Sequence, residues 1–488
     1  MNLATRLLKA QVLTPEELAP ALYRQKKYRG FLAKHLQDLR LVDPEVLAEF
    51  VSLCPQEPQS LEETGLPMGL LAQLTLKHLF FQDSMSTREM SRELKLPEPL
   101  VDFLIEHLKG QKLVYVKPRD AMLQKQPHLV MQMRYTLTDM GKSHAEQCLE
   151  ANRYAGPAPV PMEDYWDWVE FQTIQQVKVG KGRLQEVFAD YVVSDSLLDK
   201  IGPAISSGRS IFLFGPSGNG KTITANCIGA AFEDSVFIPY ALYVQGQIIR
   251  MYDEMNHQAA PFGAEAPKFD VRWVRCHRPV VVAGGEMTED ALELNFNPIL
   301  KFYEAPHQLR ANNGVFIIDD FGRQKISPRA LLNRWMYPLE TRQDFCCLYT
   351  GQQFAVPFDQ LIIFSTTLNP YSLADEAFLR RIRHKIYLGY VSPEQYLEIF
   401  RRNCQRHGIP FDPEVIRDMM ARYYIITSRP LCACHPRDLV DNLVDRARFL
   451  EMKPQLTSTE LDYVCQTYFV KPMSISDYDA VEGPKAMV

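Results

Sequence analysis

Nothing in this chain spells out a covalent or metal staple. Its ten cysteines are scattered, Cys346 and Cys347 stand side by side, and no C-x-x-C pair occurs, so the spacing writes in neither a disulfide framework nor a tetrahedral zinc site. The tightest cluster is Cys432, Cys434 and His435, three candidate ligands where a structural site usually needs four. Long apolar runs are missing as well. No stretch approaches the roughly 18 apolar residues that a membrane span needs. The opening segment MNLATRLLKAQVLTPEELAP breaks its apolar residues with Lys9, Gln11 and Glu16, unlike a signal peptide. Charge of one sign is also lacking: the formal net charge is −5, so no global field advertises a nucleic acid or a membrane as partner. These absences predict a soluble, cytoplasmic protein with reduced thiols.

What is present is length, 488 residues, enough for about two to four domains. The most informative stretch is FLFGPSGNGKT, Phe212 to Thr222. Ile211 to Phe214 suit a buried strand. Gly215, Gly218 and Gly220 free the backbone to aim successive N–H groups into one concavity, an anion cradle. Lys221 adds an ammonium, Thr222 a hydroxyl for Mg²⁺, and the segment TITANCIGAAF predicts a helix whose N-terminus favours negative charge. The full G-x-x-x-x-G-K-T pattern between strand and helix is far more specific than a lone glycine repeat.

About a hundred residues later comes GVFIIDDFGRQ, a buried strand over Val315 to Ile318 with Asp319 and Asp320 at its C-terminal end, where open α/β sheets bind ligands. The first acid can hold Mg²⁺ and the second can orient or deprotonate an attacking water. A third strand, LIIFSTT, ends in hydroxyls at Thr366 and Thr367, able to hydrogen-bond that water or the γ-phosphate. The next helix carries Arg380, Arg381 and Arg383, either a solvated face or an arginine finger for a neighbouring subunit. From Ser392 the chain turns helical, and Arg437 opens the helix PRDLVDNLVDRARFL.

GPSGNGKT, FIIDD, FSTT, the arginine cluster and HPRDL together resemble the AAA+ ATPases over roughly residues 185 to 470. The resemblance implies a Walker A loop over Gly215, Pro216, Ser217, Gly218, Asn219, Gly220, Lys221 and Thr222, and a Walker B pair at Asp319 and Asp320. It also implies a sensor at Thr367, a finger at Arg380 or Arg381, and a second sensor at Arg437 in a helical lid. ATP and Mg²⁺ are the implied cofactors, with Thr222 and Asp319 on the metal. Asp320 stands where most members have glutamate and Thr367 where many have asparagine, which implies slow turnover. The insert RWVRCHRPVVVAGGEMTEDAL before Walker B is similar to that of magnesium-chelatase-type and enhancer-binding members, whose inserted hairpin loops reach a central pore; an inert surface excursion is the alternative.

Ahead of this module, sliding the chain by 29 positions aligns Leu7, Val12, Leu13, Pro15, Glu16, Leu18 and Ala19 with Leu36, Leu41, Val42, Pro44, Glu45, Leu47 and Ala48. The stretch LLKAQVLTPEELAPALYRQ resembles the N-terminal repeat of secretion and pilus-assembly ATPases, some of which bind cyclic di-GMP. That repeat carries glycines where this chain has Gln11, Ala33 and Arg40, so a protein-docking module or a plain packing unit is expected rather than a nucleotide binder. Residues 61–150 read as a winged helix with wing strands near LVYV and RYTL. Its third helix sets Glu98, Asp102 and Glu106 against Lys109 and Lys112, which favours a protein partner over DNA.

The expected organisation is a helical repeat domain over 1–60, a winged-helix-like domain over 61–150 and a Pro-rich linker over 151–184. An α/β AAA+ domain with a parallel sheet then spans 185–391, a helical lid 392–470 and a loose tail 471–488. The expected function is a homo-oligomeric, ring-forming ATPase that remodels a protein client or a secretion- or pilus-type component. A DNA-associated loader or regulator and a low-turnover ATP switch are the alternatives.

Overall fold

The computed structural model describes residues 3–28, 32–44, 46–47, 53–117, 133–262 and 267–469. The expectations for Glu45, Ala48 and the tail 471–488 lie outside these residues. Within the first sixty, positions 29 apart carry matching backbone hydrogen bonds. Gln11 N–H donates to Leu8 C=O and Val12 N–H to Leu7 C=O; Arg40 N–H donates to Gln37 C=O and Leu41 N–H to Leu36 C=O. Each helix end is closed by a left-handed residue, Gln11 at φ 55° and Arg40 at φ 53°, a conformation that favours glycine. Those are two of the places where the secretion-type repeat has glycine. Leu7, Leu13 and Leu18 meet Leu36, Val42 and Leu47 in one small core.

Residues 66–151 form three helices, Met68–Gln82, Thr87–Leu94 and Glu98–Gly110, with a closing helix Asp139–Ala151. A three-stranded antiparallel sheet sets Arg134–Leu137 between Met85–Ser86 and Val114–Val116. Ser86 starts the second helix with a reciprocal cap: its hydroxyl accepts from Glu89 N–H, and the Glu89 carboxylate accepts from Ser86 N–H. On the third helix Glu98, Asp102 and Glu106 are exposed, and Lys109 is already paired with Glu106 at 2.7 Å.

The Pro-rich stretch expected to be a linker is built into the body. Val160–Pro161 forms an edge strand parallel to Leu242–Tyr243, and Met162–Phe171 is a helix. An edge position tolerates proline because no ladder donor is needed on the open side. In and around the prolines Tyr154, Ala158, Val160 and Tyr165 are buried, and that burial outweighs what composition suggests. The helix Met68–Gln82 clasps the same stretch: Lys77 Nζ donates to Tyr154 C=O at 3.3 Å, and His78 Nε2 lies 3.2 Å from Gly156 C=O. Burial pulls the Lys77 ammonium down to about 8.

A five-stranded parallel sheet carries the rest. Its strands are β1 (Ile211–Phe214), β2 (Val280–Ala283), β3 (Val315–Ile318), β4 (Leu361–Thr366) and β5 (His384–Tyr387), in spatial order β2-β3-β4-β1-β5. β3 and β4 are fully buried apolar runs, as parallel strands covered on both faces must be. RPVVVAGG, expected within the insert, is therefore an edge strand of the parallel sheet: Val280 to Ala283 pair residue for residue with Val315 to Ile318. The true inserts flank β2. They add the hairpin Ala241–Val244/Gln247–Arg250 and the hairpin Asn295–Asn297/Phe302–Glu304 to the edge strand Val160–Pro161 in a second sheet. Ala241, Ile248 and Phe302 of that sheet share a core with the helices of residues 66–151.

Past β5, the helices Pro393–Arg406, Pro413–Met420, His435–Phe449 and Ser458–Tyr468 make a separate core that includes Leu439, Val440 and Leu443. Among the described residues no helix is long and apolar enough to cross a membrane.

Candidate functional site

β1 runs straight into the glycine loop, and the loop into the helix Lys221–Ala230. Two loop glycines are required by geometry. Gly215, at φ 146°, passes so close to the Leu388 carbonyl that a Cβ would lie 2.1 Å from its oxygen. Gly218, at φ 76°, lies under the lid, where a Cβ would sit 2.5 Å from Cys434 Sγ. Lys221 folds back over the loop, donating to Gly215 C=O at 3.1 Å and Pro216 C=O at 2.9 Å. Burial pulls its ammonium down, opposed by the nearby charges of Asp320 and Asp319. Neutral carbonyls are weak partners for an ammonium, so a phosphate oxygen is the stronger acceptor at this point.

The acidic pair arrives from the end of β3. Thr222 Oγ1 donates to Asp319 Oδ2 at 2.7 Å, joining residues 97 apart in sequence. A hydroxyl and a carboxylate in contact beside an anion cradle are a fitting pair of oxygen ligands for Mg²⁺. Asp320 is exposed into the same cleft, at φ 50°. The two threonines that end β4 part company. Thr366 is buried and donates to Phe321 C=O at 2.6 Å, whereas Thr367 faces the cleft.

The helical unit past β5 lies directly against the glycine loop. Cys434 N–H donates to Gly218 C=O at 2.9 Å, and Ala433 N–H donates to Asn219 Oδ1 at 3.1 Å. Asn219 also donates to the Pro216 and Ser217 carbonyls, so one side chain rigidifies the loop and docks the lid on it. Arg437, one turn further on, lines the cleft and rests on Asp438 at 2.8 Å. The cleft has a volume of about 760 Å³, with Ser217, Lys221, Thr222, Asp319, Asp320 and Arg437 among its walls.

The two candidate fingers are distinct. Arg381 is committed locally, to Glu340 at 2.7 Å and to Ala377 C=O at 2.8 Å. Arg380 is exposed, takes part in no hydrogen bond or ion pair with a described residue, and does not line its own chain's cleft. Cys432, Cys434 and His435 are not brought together as ligands: no metal-holding group of three such residues occurs among the described residues. The His435 Nδ1 is instead 3.0 Å from the Tyr424 hydroxyl.

Sequence reasoning missed the far end of the cleft, walled by Tyr191, Val193, Tyr390, Val391, Arg402 and Arg406. Arg402 bridges it, donating to Ala189 C=O at 2.7 Å and to Glu398 at 2.8 Å. No motif marks these residues, because they come from two separate segments and contribute shape rather than a spacing.

A family model described as a domain of unknown function, DUF8689, matches residues 392–467, the helical lid. No curated protein matches the chain. Among solved structures, NtrX from Brucella abortus in complex with ADP is similar at 16% identity and a TM-score of 0.36, covering 70% of this chain and 69% of that one. A RuvB mutant from Thermotoga maritima is similar at 12% identity and a TM-score of 0.31, covering 61% of this chain and 72% of that one. Likeness this slight does not define a family. What the fold and site define is a mixed α/β protein with a parallel sheet and a glycine loop at the C-terminal end of its β1 strand.

Proposed function

We propose that the chain is an ATPase of the AAA+ kind, active between copies of itself, that remodels or assembles a protein partner recruited by its N-terminal units. One observation carries this reading: the Thr222 hydroxyl and the Asp319 carboxylate meet at 2.7 Å beside Lys221, at the mouth of a glycine loop. Thr222 and Asp319 would hold Mg²⁺, which when bound neutralises charge on the phosphate oxygens. The loop N–H groups and Lys221 grip the triphosphate. Asp320 takes a proton from the attacking water at its carboxylate, and Thr367 orients that water. Arg437 links the phosphates to the lid, so that phosphate state becomes lid angle. The acidic face of the helix Glu98–Gly110 supports a protein partner over DNA, since phosphate contacts need cations and Lys109 is spent on Glu106.

The test is nucleotide affinity in Lys221→Ala. Removing the ammonium is expected to weaken ATP binding about 100-fold in an equilibrium titration, the scale of losing one partner of a buried charged contact. Unchanged affinity would contradict the reading.

A further inference from the structure

We propose that Gln324 is a positioning residue for hydrolysis, a clamp that holds Asp320 in the cleft; the inference rests on the ATPase reading of this site. After β3 the chain turns back sharply, with Asp320 at φ 50° and Gly322 at φ 103°. A left-handed aspartate persists only where its surroundings over-determine it. Two contacts do so here. Phe321 N–H donates to Ser365 C=O at 2.7 Å, which ties the turn to β4. The Gln324 side-chain amide then spans the turn: Nε2 donates to Asp319 C=O at 2.7 Å, and Oε1 accepts from Gly322 N–H at 2.8 Å.

Both ends of one amide thus bracket the residue that is exposed into the cleft. No shorter or single-ended side chain spans that distance with one donor and one acceptor. Gln324 itself is outside the cleft wall, so it acts through Asp320 and not on the nucleotide. It also fixes the carbonyl of Asp319, so it sets both acids relative to β3. The sequence hides this role because a glutamine five residues past the first acid belongs to no motif.

The experiment uses the full chain and four variants: Gln324→Ala, Gln324→Glu, Asp320→Asn and the double Asp320→Asn/Gln324→Ala. Turnover at saturating Mg-ATP and ATP affinity are both measured. Gln324→Ala is expected to lower turnover about 10²-fold, the cost of a displaced catalytic group, while affinity moves less than about threefold. Gln324→Glu keeps the acceptor and loses the donor, so its turnover falls in the same direction; it carries the test if the alanine variant does not fold. The double variant is expected to be no slower than Asp320→Asn alone, since a clamp without its catalytic group has nothing left to position.

Wild-type turnover in Gln324→Ala, a parallel loss of affinity and turnover, or additive losses in the double variant would overturn the clamp. If Asp320→Asn keeps full turnover, the catalytic assignment of Asp320 falls and the clamp with it. If Asp320→Asn is inactive while both Gln324 variants are fully active, only the clamp falls.

Discussion

Replacing Arg380 by alanine is expected to cut ATP turnover about 10³-fold, the usual worth of an arginine finger, while nucleotide affinity stays within a few-fold of wild type. Arg380 is exposed at the end of the helix Glu376–Arg381 and is absent from the wall of its own cleft. In the proposed reading it serves the nucleotide of a neighbouring copy. Two consequences are measurable. Turnover per chain rises with protein concentration, and mixing Arg380→Ala chains with Asp320→Asn chains restores part of the lost activity. In the mixture some interfaces pair an intact Arg380 with an intact Asp320. Arg381→Ala behaves differently, losing the Glu340 ion pair and with it local stability. A concentration-independent rate, with Arg380→Ala as fast as wild type, would remove the finger from the account.

The second large effect concerns how the N-terminal units are joined to the nucleotide body. Arg272 is 1% exposed and pairs with Asp270, itself 3% exposed, at 2.8 Å. Its remaining donors reach Thr64 C=O at 2.9 Å and Pro159 C=O at 3.1 Å, residues 208 and 113 positions away. One guanidinium therefore ties Asp270 to Pro159, beside the edge strand Val160–Pro161, and to Thr64, just ahead of the helices of residues 66–151. Arg272→Ala leaves a buried carboxylate unpaired and two carbonyls without donors, which costs roughly 3–5 kcal/mol. Denaturant unfolding is expected to begin at a visibly lower midpoint. The double variant Asp270→Leu/Arg272→Met is expected to recover most of that loss, because a matched apolar pair carries no stranded charge. An unchanged midpoint in Arg272→Ala would mean that the staple contributes nothing.

Local chemistry was the part of this molecule legible from the chain. The glycine loop and β3 with its acids are each written in adjacent residues, and each depends on short-range backbone geometry. What depends on distant pairing was not legible. RPVVVAGG reads as one more apolar run until its partner Val315 to Ile318 is known. The Pro-rich stretch reads as a linker because proline frequency says nothing about whether Tyr154 and Tyr165 find a cavity to fill. Five segments between residues 160 and 304 build the second sheet, and no single one of them carries a signal of the whole.

The candidate site divides along the same line. Spacing identifies the loop and the acids, but not which of Arg380 and Arg381 is free, since neighbouring helix positions differ by a rotation that only packing fixes. It does not separate Thr366, tied to Phe321, from Thr367, open to the cleft. Nor does it reveal Asn219 as the hook that docks the lid.

The central claim is that the loop at Gly215 to Thr222 grips a triphosphate while Thr222 and Asp319 share its magnesium. The most direct measurement is an ATP titration of the wild-type chain and of Asp319→Asn, each with Mg²⁺ and with a chelator in its place. The account predicts saturable binding by the wild type that weakens on chelation, and binding by Asp319→Asn that is weak and indifferent to Mg²⁺. Wild-type affinity that is the same with and without Mg²⁺, or no saturable binding of ATP at all, would contradict it.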